Sequence, residues 1–84
     1  MYISIMQFIY ILVIVLRKVG QKSRGYKIFI PPTLDDLISI ANEKFPKELV
    51  VEIWDDDSSI TDIAMLIPNS IYYAATERDI NNIE

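Results

Sequence analysis

A single amphipathic helix between Pro32 and Pro46 constrains the fold of this chain more than any other feature. Thr33 offers a side-chain acceptor suited to the N-cap, acids follow in the first turn, and Pro46 cannot continue a helix. Apolar residues recur at helical spacing, and polar residues occupy the opposite face. We therefore predict a helix over 33–45 with one face packed on a sheet. The residues predicted for that face are Leu34, Leu37, Ile38, Ala41 and Phe45.

Four strand patterns accompany this helix, two before it and two after it. β-Branched and aromatic residues dominate 9–16, apolar residues alternate over 26–30, and further apolar runs occupy 49–54 and 70–74. This order predicts an α+β fold, a ubiquitin-like β-grasp roll with a four-stranded mixed sheet and one packed helix. A right-handed crossover would place the first and last strands side by side in the middle of the sheet.

The length of 84 residues corresponds to one small domain. We predict a single β-grasp domain over 1–84, with a loose apolar extension at 1–7 and a frayed tail at 75–84.

The run 1–16 carries no charge and leaves three interpretations open. A secretory signal is disfavoured because no basic residue precedes the run and no small-residue cleavage site follows it. As a membrane helix, the run would reach about 24 Å, which is short of a bilayer core of roughly 30 Å. We favour a central strand buried on both faces, because the residues of 9–16 are mostly β-branched or aromatic.

The sequence lacks two residue types that often act in catalysis and metal binding. It contains no His and no Cys, which removes disulfides, thiolate ligands and the commonest metal ligand. No nucleophile–base pair and no cofactor-binding loop is visible in the sequence. We therefore predict a protein that is not an enzyme and that takes no cofactor.

Charge is distributed unevenly around the net value of −4. An acid-free basic segment precedes the helix, whereas from Glu48 onward nine acids stand against the single Arg78. Nucleic acid is disfavoured as a partner, because the chain is acidic overall and no aromatic platform lies among the basic residues. A protein partner or a second copy fits this asymmetry better. The candidate basic residues are Arg17, Lys18, Lys22, Arg24 and Lys27.

The acidic turn after the third predicted strand supplies the second set of candidate residues, namely Asp55, Asp56, Asp57 and Asp62. Counting Asp55 as position one of a calcium-binding loop puts Ile60 where glycine is required and Leu66 where a bidentate Glu belongs. We therefore predict no metal site. The turn is expected to be solvated, with an acidic surface that faces a protein as the alternative.

The helix and the acidic turn together resemble the KHA-type ubiquitin-like domain. The resemblance is carried by TLDDLISIANEKF at 33–45, WDDDSSITDI at 54–63 and LIPNSIYY at 66–73. Such domains occur in plant voltage-gated potassium channels and in BTB-domain adaptor proteins, and doublecortin and PB1 domains are more distantly similar. The resemblance implies a β-grasp fold and self-association or adaptor binding without catalysis.

We therefore predict a cytoplasmic interaction module that belongs to an ion-channel or BTB-type assembly. The basic residues of one copy are expected to meet the acidic residues of another, head to tail. The alternative is a short membrane-associated protein that uses 1–16 as its anchor.

Overall fold

The computed structural model describes residues 12–22 and 24–83. They form an α+β fold in which one main helix packs on a four-stranded mixed sheet, which confirms the predicted β-grasp-like arrangement. The predicted extension at 1–7 and the start of the first predicted strand at 9–11 lie outside the described residues. The elements are β1 (Val13–Lys18), β2 (Tyr26–Phe29), α1 (Leu34–Lys44), β3 (Val50–Trp54), β4 (Ile71–Thr76) and α2 (Glu77–Asn81).

The strands lie in the order β2-β1-β4-β3. β1 pairs antiparallel with β2 and parallel with β4, and β3 pairs antiparallel with β4. The first and last strands therefore lie side by side in the middle of the sheet, as predicted. Because β4 is parallel to β1 and antiparallel to β3, β1 and β3 run in opposite directions.

The central position of β1 follows from its apolar side chains. Ile14 and Leu16 are fully buried in the core beneath the helix, and Val13 is buried on the opposite face of the sheet. Val13 to Leu16 are also the last residues of the uncharged run, so an anchor helix built from all of 1–16 would remove β1 from the sheet. Within the described residues, no helix has the length and apolar character needed to cross a membrane.

α1 begins and ends where the sequence predicts. The Asp36 N–H donates to Thr33 Oγ1 at 3.1 Å, and the helix gives way to Phe45 immediately before Pro46. Leu37 and Ala41 are fully buried. The other members of the predicted face, Leu34, Ile38 and Phe45, are half-buried against the same core, which confirms the face as a whole.

Asn42 joins α1 to the sheet, although its position in the helix predicts a solvated side chain. Asn42 Nδ2 donates to the Val50 carbonyl at 3.1 Å, and the Val50 N–H donates to Asn42 Oδ1 at 2.7 Å. The amide thus satisfies both backbone groups of the first residue of β3, as a neighbouring strand would. This clamp fixes the segment 45–49 between α1 and β3.

The C-terminal part of the chain differs from the prediction of a frayed tail at 75–84. β4 continues through Ala75 and Thr76, which are both buried, and α2 follows directly. A capping box begins α2: the Thr76 N–H donates to Asp79 Oδ2 at 2.8 Å, and the Asp79 N–H donates to Thr76 Oγ1 at 3.4 Å. A five-residue helix lacks the apolar repeat on which a sequence prediction relies.

α1 covers one face of the sheet. The opposite face, called the uncovered face below because α1 does not cover it, keeps large apolar side chains in contact with solvent. Phe29 is 61% exposed and Ile71 is 42% exposed. Trp54 is half-buried there, and its Nε1 donates to Glu52 Oε1 at 2.8 Å.

Candidate protein-interaction site

The acidic turn after β3 is held together by the carboxylate of Asp55. Asp55 Oδ1 accepts hydrogen bonds from the Asp57 N–H at 2.8 Å, the Ser58 N–H at 2.6 Å and the Ser58 hydroxyl at 3.3 Å. The donors on Asp57 and Ser58 hold the pKa of the Asp55 carboxyl below its ordinary value. Asp55 therefore shapes the turn, and the exposed Asp56 and Asp57 form its tip.

Asp62 has a local structural role of the same kind. Its Oδ1 accepts from the Ala64 N–H at 2.9 Å and caps the short 3₁₀ turn at Ile63–Met65. The Asp62 carboxylate thus stabilises the turn that it precedes. Across the described part of the chain, no three or more acidic side chains converge as metal ligands would.

The five predicted basic residues do not form one surface. Side chains alternate along β1, so Arg17 lies on the uncovered face of the sheet, and the pairing of Val15 with Lys27 places Lys27 on that face too. Lys18 points to the helix side at the end of β1 and is buried. Lys22 and Arg24 are exposed in the loop between β1 and β2.

Lys18 is committed to an ion pair within its own chain. Its Nζ lies 2.9 Å from Asp79 Oδ2, and the two side chains are only 9% and 17% exposed. Burial raises the pKa of the Asp79 carboxyl, but the hydrogen bonds from Thr76 and Lys18 outweigh it and leave that pKa below 3.8. The pair ties α2 to the end of β1, so Lys18 holds the fold together.

A half-open groove of about 370 Å³ lies next to this ion pair, between the β1–β2 loop and the C-terminal end of α1. Gly25 allows the loop to lie close to β1, because a Cβ at this position would come within 2.7 Å of the Leu16 carbonyl oxygen. The Asn42 clamp fixes the opposite wall. The groove, called the basic groove below, is lined by Lys18, Gln21, Arg24, Tyr26, Lys44, Phe45, Pro46, Lys47 and Glu48.

Aromatic side chains form the apolar part of the basic groove. The rings of Tyr26 and Phe45 meet edge to face, with centroids 5.4 Å apart and planes at 72°. Lys44 Nζ lies 5.4 Å from the centroid of the Tyr26 ring, within the range of a cation–π contact. The groove therefore presents cations beside an apolar floor.

The acidic turn and the basic groove lie at opposite ends of β3. The groove residues 44–48 come just before β3 starts at Val50, and the acidic turn follows its end at Trp54, about 13 Å further along the strand. β4 lies between β1 and β3, which separates the turn from the β1 side of the groove by about 10 Å across the sheet. Neither of the two ion pairs among the described residues, Lys18–Asp79 and Arg78–Glu48, includes the turn.

Sequence reasoning missed Lys44 and Lys47. Lys44 is the last residue of α1 and Lys47 follows Pro46, so neither belongs to the basic segment that precedes the helix. A lysine in the last turn of a helix commonly serves the helix dipole, so its position alone does not indicate a site. If the predicted helix is packed against the first hairpin, Lys44 and Lys47 come to lie beside the basic segment, and this placement could have predicted their part in the site.

No family model, curated protein or solved structure matches this chain. The resemblance to the KHA-type domain therefore stays a prediction that rests on the residues quoted for it.

Proposed function

We propose that this protein is a non-catalytic interaction module that associates with a second copy of itself, head to tail, through its two oppositely charged regions. The observation that carries the proposal is their placement: the acidic turn and the basic groove lie at opposite ends of β3. One copy cannot bring them together, whereas two copies can.

The chemistry of the exposed side chains supports this proposal. Asp56 and Asp57 are exposed at the tip of a turn whose shape is fixed by Asp55. Arg24 and Lys47 are exposed in the basic groove and take part in no ion pair within the described residues. Charges of opposite sign steer association, and a turn whose backbone is already fixed loses little conformational entropy when it binds.

A related adaptor could take the place of the second copy, because either charged region would serve a partner of opposite charge equally well. Membership of an ion-channel or BTB-type assembly and a cytoplasmic location stay predictions.

A pair of charge-reversed variants tests the head-to-tail geometry. The basic-reversed chain carries K22E, R24E and K27E, and the acid-reversed chain carries D56K and D57K. These positions are exposed, and their side chains make no hydrogen bond or ion pair among the described residues, so both variants are expected to fold. Asp55 and Asp62 are left intact because they shape their own turns, and Lys18 is left intact because it ties α2 to the end of β1.

Each variant alone is expected to stay a monomer of about 9.7 kDa. An equimolar mixture pairs the intact acidic turn of one chain with the intact basic residues of the other, and the two reversed regions also carry opposite charges, so the mixture should contain species heavier than the monomer in sedimentation velocity. A mixture that sediments like its separate components would contradict the head-to-tail contact.

A further inference from the structure

We propose that the basic groove is the acceptor site of this contact and that its occupant is the acidic turn of a second copy, with the Asp56 and Asp57 carboxylates inserted toward Arg24, Lys44 and Lys47. This inference rests on the proposed function and names the side chains that touch. It excludes Arg17 and Lys27 from the residues that touch the acidic turn, because both lie on the uncovered face of the sheet.

The cations of this acidic chain are concentrated at the groove. The chain has eight Lys and Arg residues, and four of them, Lys18, Arg24, Lys44 and Lys47, line this one depression. Asp79 neutralises Lys18, but the described residues place no carboxylate within ion-pairing distance of the other three. The single acid of the lining, Glu48, lies 3.8 Å from Arg78. The groove therefore carries an excess of positive charge that an anionic partner would neutralise.

The floor of the groove strengthens the attraction for carboxylates. Tyr26, Phe45 and Pro46 contribute apolar surface, and a filled groove would exclude water from the ion pairs above that surface. The Tyr26 ring already holds Lys44 over its face, so this ammonium loses less freedom when a carboxylate binds. A flat lysine-rich surface would offer neither advantage.

The acidic turn matches the groove in size, charge and rigidity. A depression of about 370 Å³ can take a turn tip with two short side chains, whereas it is too small for an entire helix. The three hydrogen bonds to Asp55 fix the backbone of the turn from which the Asp56 and Asp57 side chains project. Because each copy keeps a free groove at one end and a free turn at the other, repetition of the contact gives an open chain of copies.

Two double variants of the acid-reversed chain test this assignment. K44A/K47A removes two cations from the groove, and K22A/K27A removes two exposed cations that do not line it. The changes in net charge are identical, so long-range attraction is matched. Each variant is titrated with the basic-reversed chain, which supplies an intact acidic turn, and the Kd is measured by isothermal titration calorimetry.

We expect K44A/K47A to raise the Kd by roughly tenfold or more, because two directly contacting pairs are lost, and K22A/K27A to raise it by less than about threefold. The Tyr26 ring resonances of the acid-reversed chain should also shift on binding, a readout that needs no groove variant to fold. Equal weakening by both double variants, or an unmoved Tyr26 ring, would overturn the groove assignment and leave the head-to-tail contact standing. If the two charge-reversed chains do not bind each other at all, the proposed function itself fails.

Discussion

The acidic turn and the basic groove differ in how the chain builds them. The turn is local: Asp55 accepts hydrogen bonds from residues two and three positions along the chain. The groove is assembled from the end of β1, the β1–β2 loop, the start of β2 and the end of α1. A charged feature of the first kind is visible in a sequence, whereas the second kind exists only once the helix is packed on the sheet.

This difference also sets what each region depends on. The basic groove needs the packed core, the Asn42 clamp and the Lys18–Asp79 ion pair, which bring distant segments together. The acidic turn needs the end of β3 and its own hydrogen bonds. Changes in the core should therefore affect the groove far more than they affect the turn.

The largest effect is expected from L37A in the buried face of α1. Leu37 is fully buried, and truncating such a leucine costs roughly 2–5 kcal/mol of unfolding free energy. S39A on the exposed face of the same helix is the matched control, and its unfolding free energy should change by less than about 0.5 kcal/mol. Chemical denaturation measures both. If the two variants unfold alike, the core face has been assigned wrongly.

D79N is expected to have the next largest effect. It leaves the Lys18 ammonium buried without its counter-ion, which costs about 3 kcal/mol, the low end for a buried pair because Asp79 is 17% exposed. Adding K18M to D79N removes the orphaned charge and should recover part of this loss. A D79N chain as stable as its parent would show that the ion pair does not hold α2 in place.

The pH dependence of this ion pair has a definite sign. The pKa of the Asp79 carboxyl is lower in the folded chain than its ordinary value of 3.8. The pair therefore contributes its full stability above pH 3.8, and the contribution disappears as the pH falls through the folded pKa. The parent chain should lose stability in this acid range more steeply than D79N, as measured by denaturation at a series of pH values.

The smallest expected effect is on the pKa of Asp55 in the acidic turn. Carboxyl NMR should place the pKa of Asp55 below 3.8, because the Asp57 and Ser58 N–H groups donate to its charged form. L37A, studied under conditions where it remains folded, should leave this pKa unchanged, since the turn depends on local hydrogen bonds. If L37A changes the pKa of Asp55, the acidic turn also depends on the packed core, which would contradict the distinction between the locally built turn and the assembled groove.

Much of the fold was predictable because its signals are periodic. The spacing of Leu34, Leu37, Ile38, Ala41 and Phe45 identified the buried face of α1, and the order of elements led to the mixed sheet. What the sequence could not reveal depends on contacts between distant segments. Lys18 looks like one member of a basic loop until its partner 61 positions away is known, and Asn42 looks solvated until β3 is beside it.

The most direct test of the central claim is the molar mass of the unmodified chain by sedimentation equilibrium, at about 50 mM and about 500 mM salt. A head-to-tail contact predicts an average mass that rises above 9.7 kDa with protein concentration at low salt and falls back toward it at high salt. A mass that exceeds the monomer value equally in both salts would indicate an apolar contact through the uncovered sheet face instead. A chain that stays at 9.7 kDa up to high micromolar concentration in both salts would contradict self-association.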